Sequence, residues 1–319
     1  MSDFPLYHPY AIGRYEVKAG LHQFGTDFGN GAQDQKTFQV DKEFCRYYGG
    51  KLAVRSDSLE RCYLEHQYPI DVACKVNQFI VERLCHENPE HFSVHLDDQQ
   101  QVLTCRLTNT RLVFDEMWHL TAQAMAPEVN PPYASSFDAL ASQIQEDLVV
   151  TCKEDDHHWI AALHVCFPGH WVPQEKIGGT FSQIHKPVPG MRIINQRERQ
   201  YVDQMIAASD GLVRFAWGIQ LNDELNQPPH LSNIDSTDPE TDLEPSTMFV
   251  RVERQTIWGF PEIGSSLFTI RPYLYPIAGL SSVMQRSLRE ALKGMSEQEV
   301  AYKGLLGFHE ILVAWLDSV

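Results

Sequence analysis

The sequence predicts an α+β fold: a PAS-like five-stranded antiparallel sheet with helices over one face, a mostly helical N-terminal region and C-terminal helices. Three observations predict it. From Leu148 onward, two strand-like runs are followed by helical stretches and then by three more strand-like runs. Before that, apolar residues recur at three- and four-residue spacing, and after residue 280 helical signals return. The corresponding divisions are 1–145, 146–280 and 281–319.

In the first division, Leu59 to Tyr68 and Ile70 to Cys85 read as helices. Val72, Val76, Phe79, Ile80 and Leu84 form one apolar stripe, and His66-Gln-Tyr-Pro-Ile70 supplies the break between the two segments. The turn-prone run Phe24-Gly-Thr-Asp-Phe-Gly-Asn-Gly31 lacks both a dinucleotide fingerprint and a preceding strand, so it reads as a loop. Leu103 to Val113 predicts a short hairpin and Phe137 to Gln145 a helix, with Pro127, Pro131 and Pro132 marking the linker between them.

Leu148 to Lys153 and Trp159 to Cys166 read as strands joined by the acidic turn Glu154-Asp-Asp-His157. Helices are predicted over Gln174 to His185 and Ile193 to Ala208, the second ended by Asp210-Gly211. Three strands follow, Leu212 to Leu221, Met248 to Trp258 and Ser266 to Tyr275. The connection Asn222 to Thr247 is too long for a plain hairpin; its acidic part reads as a solvated loop, or as a lid. Helices near Ser281 to Lys293 and Ser296 to Trp315 close the chain. Arg286, Arg289 and Lys293 sit toward the end of the first, where the helix dipole favours cations.

Composition narrows the function. With 43% hydrophobic and 21% charged residues and a mean hydropathy of -0.31, the chain is globular, neither disordered nor membranous. No stretch approaches the roughly 20 apolar residues of a membrane span, and the start lacks a basic region followed by an apolar one, so a cytoplasmic protein is expected. The seven cysteines are odd in number and without a C-x-x-C pair, which predicts reduced thiols rather than a disulfide framework or a zinc or iron–sulfur site. A net charge of -16 repels phosphate backbones and argues against nucleic acid; an electropositive redox partner or a cationic substrate fits better.

The chemistry is densest where His164-Val-Cys-Phe-Pro-Gly-His-Trp171 is followed by Ile184-His-Lys-Pro-Val-Pro-Gly190. Pro187 and Pro189 fix backbone φ beside His185 and Gly190 permits a sharp turn, which makes His185 the first ligand candidate. His164, in the second strand between core-like neighbours, is the alternative. His157 and His158 lie in an acidic turn and read as solvated. Cys166 has nothing basic beside it to stabilise a thiolate and reads as packing. Alternation along Arg251 to Thr256 places Arg251, Glu253 and Gln255 on one face of a strand.

Four motifs in order, Val165-Cys-Phe-Pro-Gly-His-Trp171, His185-Lys-Pro-Val-Pro-Gly190, Arg251-Val-Glu-Arg-Gln-Thr256 and Phe268-Thr-Ile-Arg-Pro-Tyr273, resemble the haem-dependent oxidative N-demethylase alpha-subunit family over roughly residues 8 to 280. The resemblance implies a PAS-like domain holding haem b. It also implies a monooxygenase that removes a methyl group from a small amine such as dimethylamine, with oxygen and with electrons from a separate NADPH, flavin or iron–sulfur reductase. His185 is then the axial ligand, with His164 as alternative, and His170 a supporting donor. Arg251 and Arg271 become partners for haem propionates, provided that Arg271 shares the face of Arg251 and Glu253; a structural Arg/Glu ladder is the competing account. Glu253 and Trp217 become the candidates for receiving the amine, although core packing is the commoner role of such a tryptophan. The alternatives are a PAS-like haem or small-ligand sensor and a haem-free interaction subunit.

Overall fold

The computed structural model describes residues 4–186, 188–189, 195–227 and 244–318. The N-terminal part begins with a two-residue strand, β1 (His22–Gln23), and a long helix, α1 (Phe44–Cys62), whose helical path is broken at Ser58 (φ -166°, ψ 103°). A short strand β2 (Tyr63–Glu65) and helix α2 (Ile70–Glu87) follow, and Val72, Val76, Ile80 and Leu84 of α2 are buried along the predicted stripe. Strands β3 (Phe92–Asp97), β4 (Gln100–Cys105), β5 (Thr110–Phe114) and β6 (Leu120–Met125) then form a four-stranded antiparallel meander. Helix α3 (Ser136–Ala141) is capped by Ser135, whose hydroxyl accepts from the Asp138 amide.

Two expectations are corrected here. The region is not mostly helical, because the predicted hairpin is the centre of a meander whose outer strands β3 and β6 are largely exposed and so lack a clear apolar alternation. The predicted helix from Leu59 ends at Cys62, where the chain extends to pair Tyr63, Leu64 and Glu65 with His164, Leu163 and Ala162, a contact about a hundred residues away that local periodicity does not encode.

All five predicted strands form: β7 (Asp147–Glu154), β8 (His157–His164), β9 (Leu212–Gln220), β10 (Phe249–Phe260) and β11 (Ser265–Pro276). They are contiguous and antiparallel in the order β9-β10-β11-β7-β8. The sheet has seven strands rather than five, since β1 pairs with β9 and β2 with β8 at the two edges. Between β8 and β9, the helix expected from Gln174 is a 3-10 turn at Pro173–Glu175 and a short helix α4 (Phe181–His185), interrupted at Gly178 (φ +73°). Thr180 and Gln183 close a capping box at the start of α4. Of the helix expected over Ile193 to Ala208, α5 (Glu198–Ile206) is present; Ile193 and Ile194 lie outside the described residues, as do Pro187, Gly190 and the greater part of the proposed lid. The C-terminal part comprises α6 (Ser282–Lys293), α7 (Glu297–Tyr302) and α8 (His309–Ser318), the last two separated at Gly304 (φ +69°).

The sheet's two faces do different work. On one, Leu148, Val150 and Leu267 join residues of α2 and α3 in one core, while Trp217, Val250, Val252, Tyr273 and Tyr275 pack with Tyr7, Tyr10 and the C-terminal helices in another. The other face carries Val149, Leu163 and Phe268 against Trp171, Ile177 and Ile184 from the segment that leads into α4. Gly259 lets α5 approach this end of the sheet: a Cβ there would lie 2.1 Å from the Ile206 carbonyl oxygen, and its amide donates to Ala208 O at 2.9 Å. No helix among the described residues is long and apolar enough to cross a membrane.

Candidate functional site

Alternation along β10 puts Arg251, Glu253 and Gln255 on the face roofed by α4 and α5. Glu253 is clamped from both sides, its Oε1 accepting from Arg251 Nε and its Oε2 from Gln255 Nε2, each at 3.1 Å. Arg251 also donates to Leu225 O at 2.8 Å and Phe167 O at 2.6 Å, so the guanidinium pins the chain after β8 to the sheet. Across β9, Gln255 pairs with Arg214, Glu253 with Ala216 and Arg251 with Gly218. The small residues at 216 and 218 leave room over the sheet: a Cβ on Gly218 would meet Lys303 Cδ at 3.7 Å and its Nζ at 4.0 Å. Three cations, Arg214, Arg251 and Lys303, thus surround one carboxylate. Burial pulls the Arg214 and Lys303 pKa values down, and Glu253 only partly restores them.

His170 closes the site. It is held in the left-handed region (φ +63°) by its amide bond to Gln227 O at 2.8 Å, and Gly169 runs so close to the sheet that a Cβ would lie 3.2 Å from Glu253 Oε1. Burial and the charges of Arg251 and Lys303 keep its imidazole neutral-leaning, with a lowered pKa. Its Nδ1 is buried without a hydrogen-bond partner among the described residues, as are Arg214 Nε and Gln255 Oε1. These three unpartnered atoms make the roofed face a candidate place for a polar ligand.

His185 ends α4, its ring 4.2 Å from that of Phe181. Nδ1 lies 2.8 Å from the Phe181 carbonyl oxygen, an acceptor only, so Nδ1 carries the proton and Nε2 keeps its lone pair. Burial, reinforced by Arg214 and Lys176 against the Phe181 hydrogen bond, pushes the pKa down to about 4. The ring is therefore neutral and in the tautomer that a metal ligand needs. The roof is fixed by Phe181 N donating to His158 Nε2 and Ser182 N to Glu198 Oε2, both at 2.9 Å. His158 is thus buried and structural, not solvated as expected.

Three expected participants lie elsewhere. Arg271 pairs in register with Arg254, not with Arg251 or Glu253, and faces the opposite side; it is fully buried, donating to Gln39 O and Asp41 Oδ2 at 2.8 Å. The condition on which its propionate role depended is not met. Trp217 pairs with Val252 and points the same way as Arg271, into the aromatic core, with Tyr10 and Tyr15 rings 5.5 Å away. His164 also lies on that opposite face, its Nε2 3.1 Å from Asp138 Oδ1, so it cannot share a ligand with His185. Conversely Arg214 and Lys303 escaped the sequence reading: cross-strand register brings the first to Gln255 and the folding back of the C-terminal helices brings the second.

A shallow cleft of about 280 Å³ between Lys153, Asp203, Pro261 and Gly264 shares none of these residues; Lys153 and Asp203 close it with an ion pair, and no orphaned polar side chain lines it.

An antiparallel sheet with clustered cations and a neutral imidazole on the side covered by α4 and α5 defines an α+β protein with a polar candidate site. The particular family follows from comparison: the chain belongs to the haem-dependent oxidative N-demethylase, alpha subunit-like family, whose model matches residues 30–313. A search of curated proteins finds no match. The family name carries haem dependence and oxidative N-demethylation, and "alpha subunit" implies a partner subunit. The residues present fit haem: His185 offers an imidazole nitrogen, and the Arg214 and Lys303 cations, with the imidazole of His170, offer donors for its carboxylates.

Proposed function

We propose that this chain is the haem b subunit of a cytoplasmic oxidative N-demethylase acting on a small alkylamine of the dimethylamine type. The overall reaction would convert an N-methylamine, O2, two electrons and two protons into the demethylated amine, formaldehyde and water. The observation that carries the proposal is His185, a neutral imidazole whose Nε2 keeps its lone pair, on a roofed sheet face in a chain of this family. The five contiguous strands, interrupted by helices that cover one face, support a PAS-like description of the haem domain.

When bound, haem supplies the iron at which oxygen is reduced and a C–H bond oxidised. The protein's part is positioning. His185 would hold the metal, and Arg214 and Lys303 would offset the charge of the propionates. Arg251, tied to Phe167 O, Leu225 O and Glu253, keeps the Gly169-His170 turn against the sheet and so excludes water. Glu253 has lone pairs left over after its two hydrogen bonds and would accept the N–H of the amine. With Arg214 and Lys303 taken up by the propionates and Glu253 balanced by Arg251, the site has no spare negative charge to hold a protonated amine and selects the neutral form, from which the methyl carbon is more easily oxidised. Electrons would come from a flavin or iron–sulfur reductase fed by NADPH, the −16 charge suiting an electropositive partner.

The test is an absorption spectrum of protein produced with haem supply, followed by titration with methylamines and a formaldehyde assay with a reductase. A Soret band that His185→Ala alters, shifts with amine, and formaldehyde release are expected. Absence of the Soret band overturns the proposal; a haem spectrum indifferent to every amine, with no formaldehyde, would point to sensing instead.

A further inference from the structure

On the opposite face, where α1 ends and β8 exits the sheet, three fully buried donors converge: Cys62 Sγ, His164 and Cys166 Sγ all lie within 4.8 Å of one another. His164 Nδ1 and Cys166 Sγ are 3.9 Å apart. A nitrogen and a sulfur sharing one ion at the usual bond lengths of about 2.0 and 2.3 Å stand about 3.5 Å apart at a tetrahedral angle and about 3.7 Å at a trigonal one. Closure onto an ion therefore needs movements of a few tenths of an ångström for this pair.

The histidine is prepared for that role. Asp138 is fixed by two bonds from Arg55, Nε to Oδ1 at 2.9 Å and Nη2 to Oδ2 at 2.8 Å, and its Oδ1 takes the His164 Nε2 proton at 3.1 Å. That leaves the Nδ1 lone pair facing the sulfurs, the arrangement in which a carboxylate orients a metal-binding histidine. Cys166 is held from its backbone, where its amide and that of Phe167 donate to the two Asp147 oxygens at 3.0 and 2.8 Å. The same Cys, His and Asp could be taken for a nucleophilic triad, but complete burial denies a substrate access.

We infer that Cys62, His164 and Cys166 form a metal site separate from the haem site and specific for a thiophilic d10 ion, Zn2+ in preference to Cu+. Binding replaces two thiol protons by the ion. With Zn2+ the net charge of the pocket is unchanged, whereas Cu+ leaves one buried negative charge beside Lys51 and the ion pairs of Asp138 and Asp147. The ion would staple the end of α1 to the end of β8. Its spacing, with Cys62 over a hundred residues before His164-Val-Cys166, matches no linear zinc signature, which is why the sequence pointed away from zinc.

The full chain, purified without chelator, is expected to carry about one zinc per molecule, with X-ray absorption at the zinc edge showing two sulfur and one nitrogen scatterers. Cys62→Ala is expected to lose the ion, and a chelator should lower the unfolding temperature of the wild type but not of that variant. Should Cys62→Ala fail to fold, the wild-type edge spectrum decides. His185→Ala, which would compromise the haem site, is expected to keep the zinc, so the two proposals fail separately. Copper at the site with the same scatterers keeps the site and overturns the preference for Zn2+. Wild-type protein without zinc or copper, an ion bound through oxygen and nitrogen alone, or a Cys62–Cys166 disulfide in the native protein overturns the inference.

Discussion

Arg254 and Arg271 stand directly opposite each other across β10 and β11, both buried, one residue out of phase with the Arg251–Glu253 pair on the other face. Each manages its charge through the N-terminal segment. Arg254 donates to Lys36 O at 2.9 Å, whereas Arg271 pairs with Asp41 and lies over the Tyr47 ring at 4.3 Å. Asp41→Ala would leave buried Arg271, opposite Arg254, with only the longer ion pair to Glu146 at 3.8 Å, and a loss of about 3–5 kcal/mol in denaturant unfolding is expected. A loss below about 1 kcal/mol would show that the pair is not what neutralises Arg271.

The lowered pKa of His185 has a consequence for acid stability. Its folded value of about 4 lies below the ordinary 6.5, so between these values the unfolded chain binds more protons than the folded one. The stabilisation is complete above about pH 6.5 and is lost as pH falls through about 4, at roughly 1.4 kcal/mol per unit. Unfolding curves of wild type and His185→Gln, taken from pH 7 to 4, should diverge in that window, the variant losing less. Parallel curves would mean that the ring is not buried as described.

Gly259→Ala is expected to disturb the roof. Because the new methyl would meet the Ile206 carbonyl at 2.1 Å, α5 must lift away from β10, at a cost of about 1–3 kcal/mol or more. Hydrogen exchange should quicken over 198–208 before it does so elsewhere; uniform exchange would argue against a local displacement.

Glu253→Gln separates chemistry from architecture. Arg251 keeps its two carbonyl partners, so the unfolding free energy should change by no more than about 1–2 kcal/mol. If Glu253 accepts the amine, kcat/KM should fall about tenfold or more, a change of about 1.4 kcal/mol in transition-state binding. Trp217→Phe, altered on the opposite face, should leave kcat/KM near wild type. Equal losses in both would indicate that stability, not substrate contact, governs activity.

The five central strands were legible as runs rich in β-branched, aromatic and other apolar residues between clear turns, as from Leu212 to Gln220. What was not legible depends on pairing. Alternation gives the relative facing of Arg251 and Glu253 within a strand, but the facing of Arg271 depends on the β10–β11 register, which a shift of one residue would reverse. The same applies to Trp217. His185 was visible as a ligand candidate from its setting among prolines, whereas the proton position that qualifies it comes from the Phe181 carbonyl one helical turn earlier.

The two strands that border the sheet are among the first made. β1 and β2 leave the ribosome before any strand of the central five, and β1 waits for residues 212–213, nearly two hundred positions later, to find its partner. Synthesis therefore delivers the rims before the middle, and the last strand to emerge, β11, is inserted between β10 and β7. Such long-range closure slows folding and leaves bare strand edges on the nascent chain. In the finished molecule those same early segments cap part of both rims, β1 at residues 212–213 of β9 and β2 at residues 162–164 of β8.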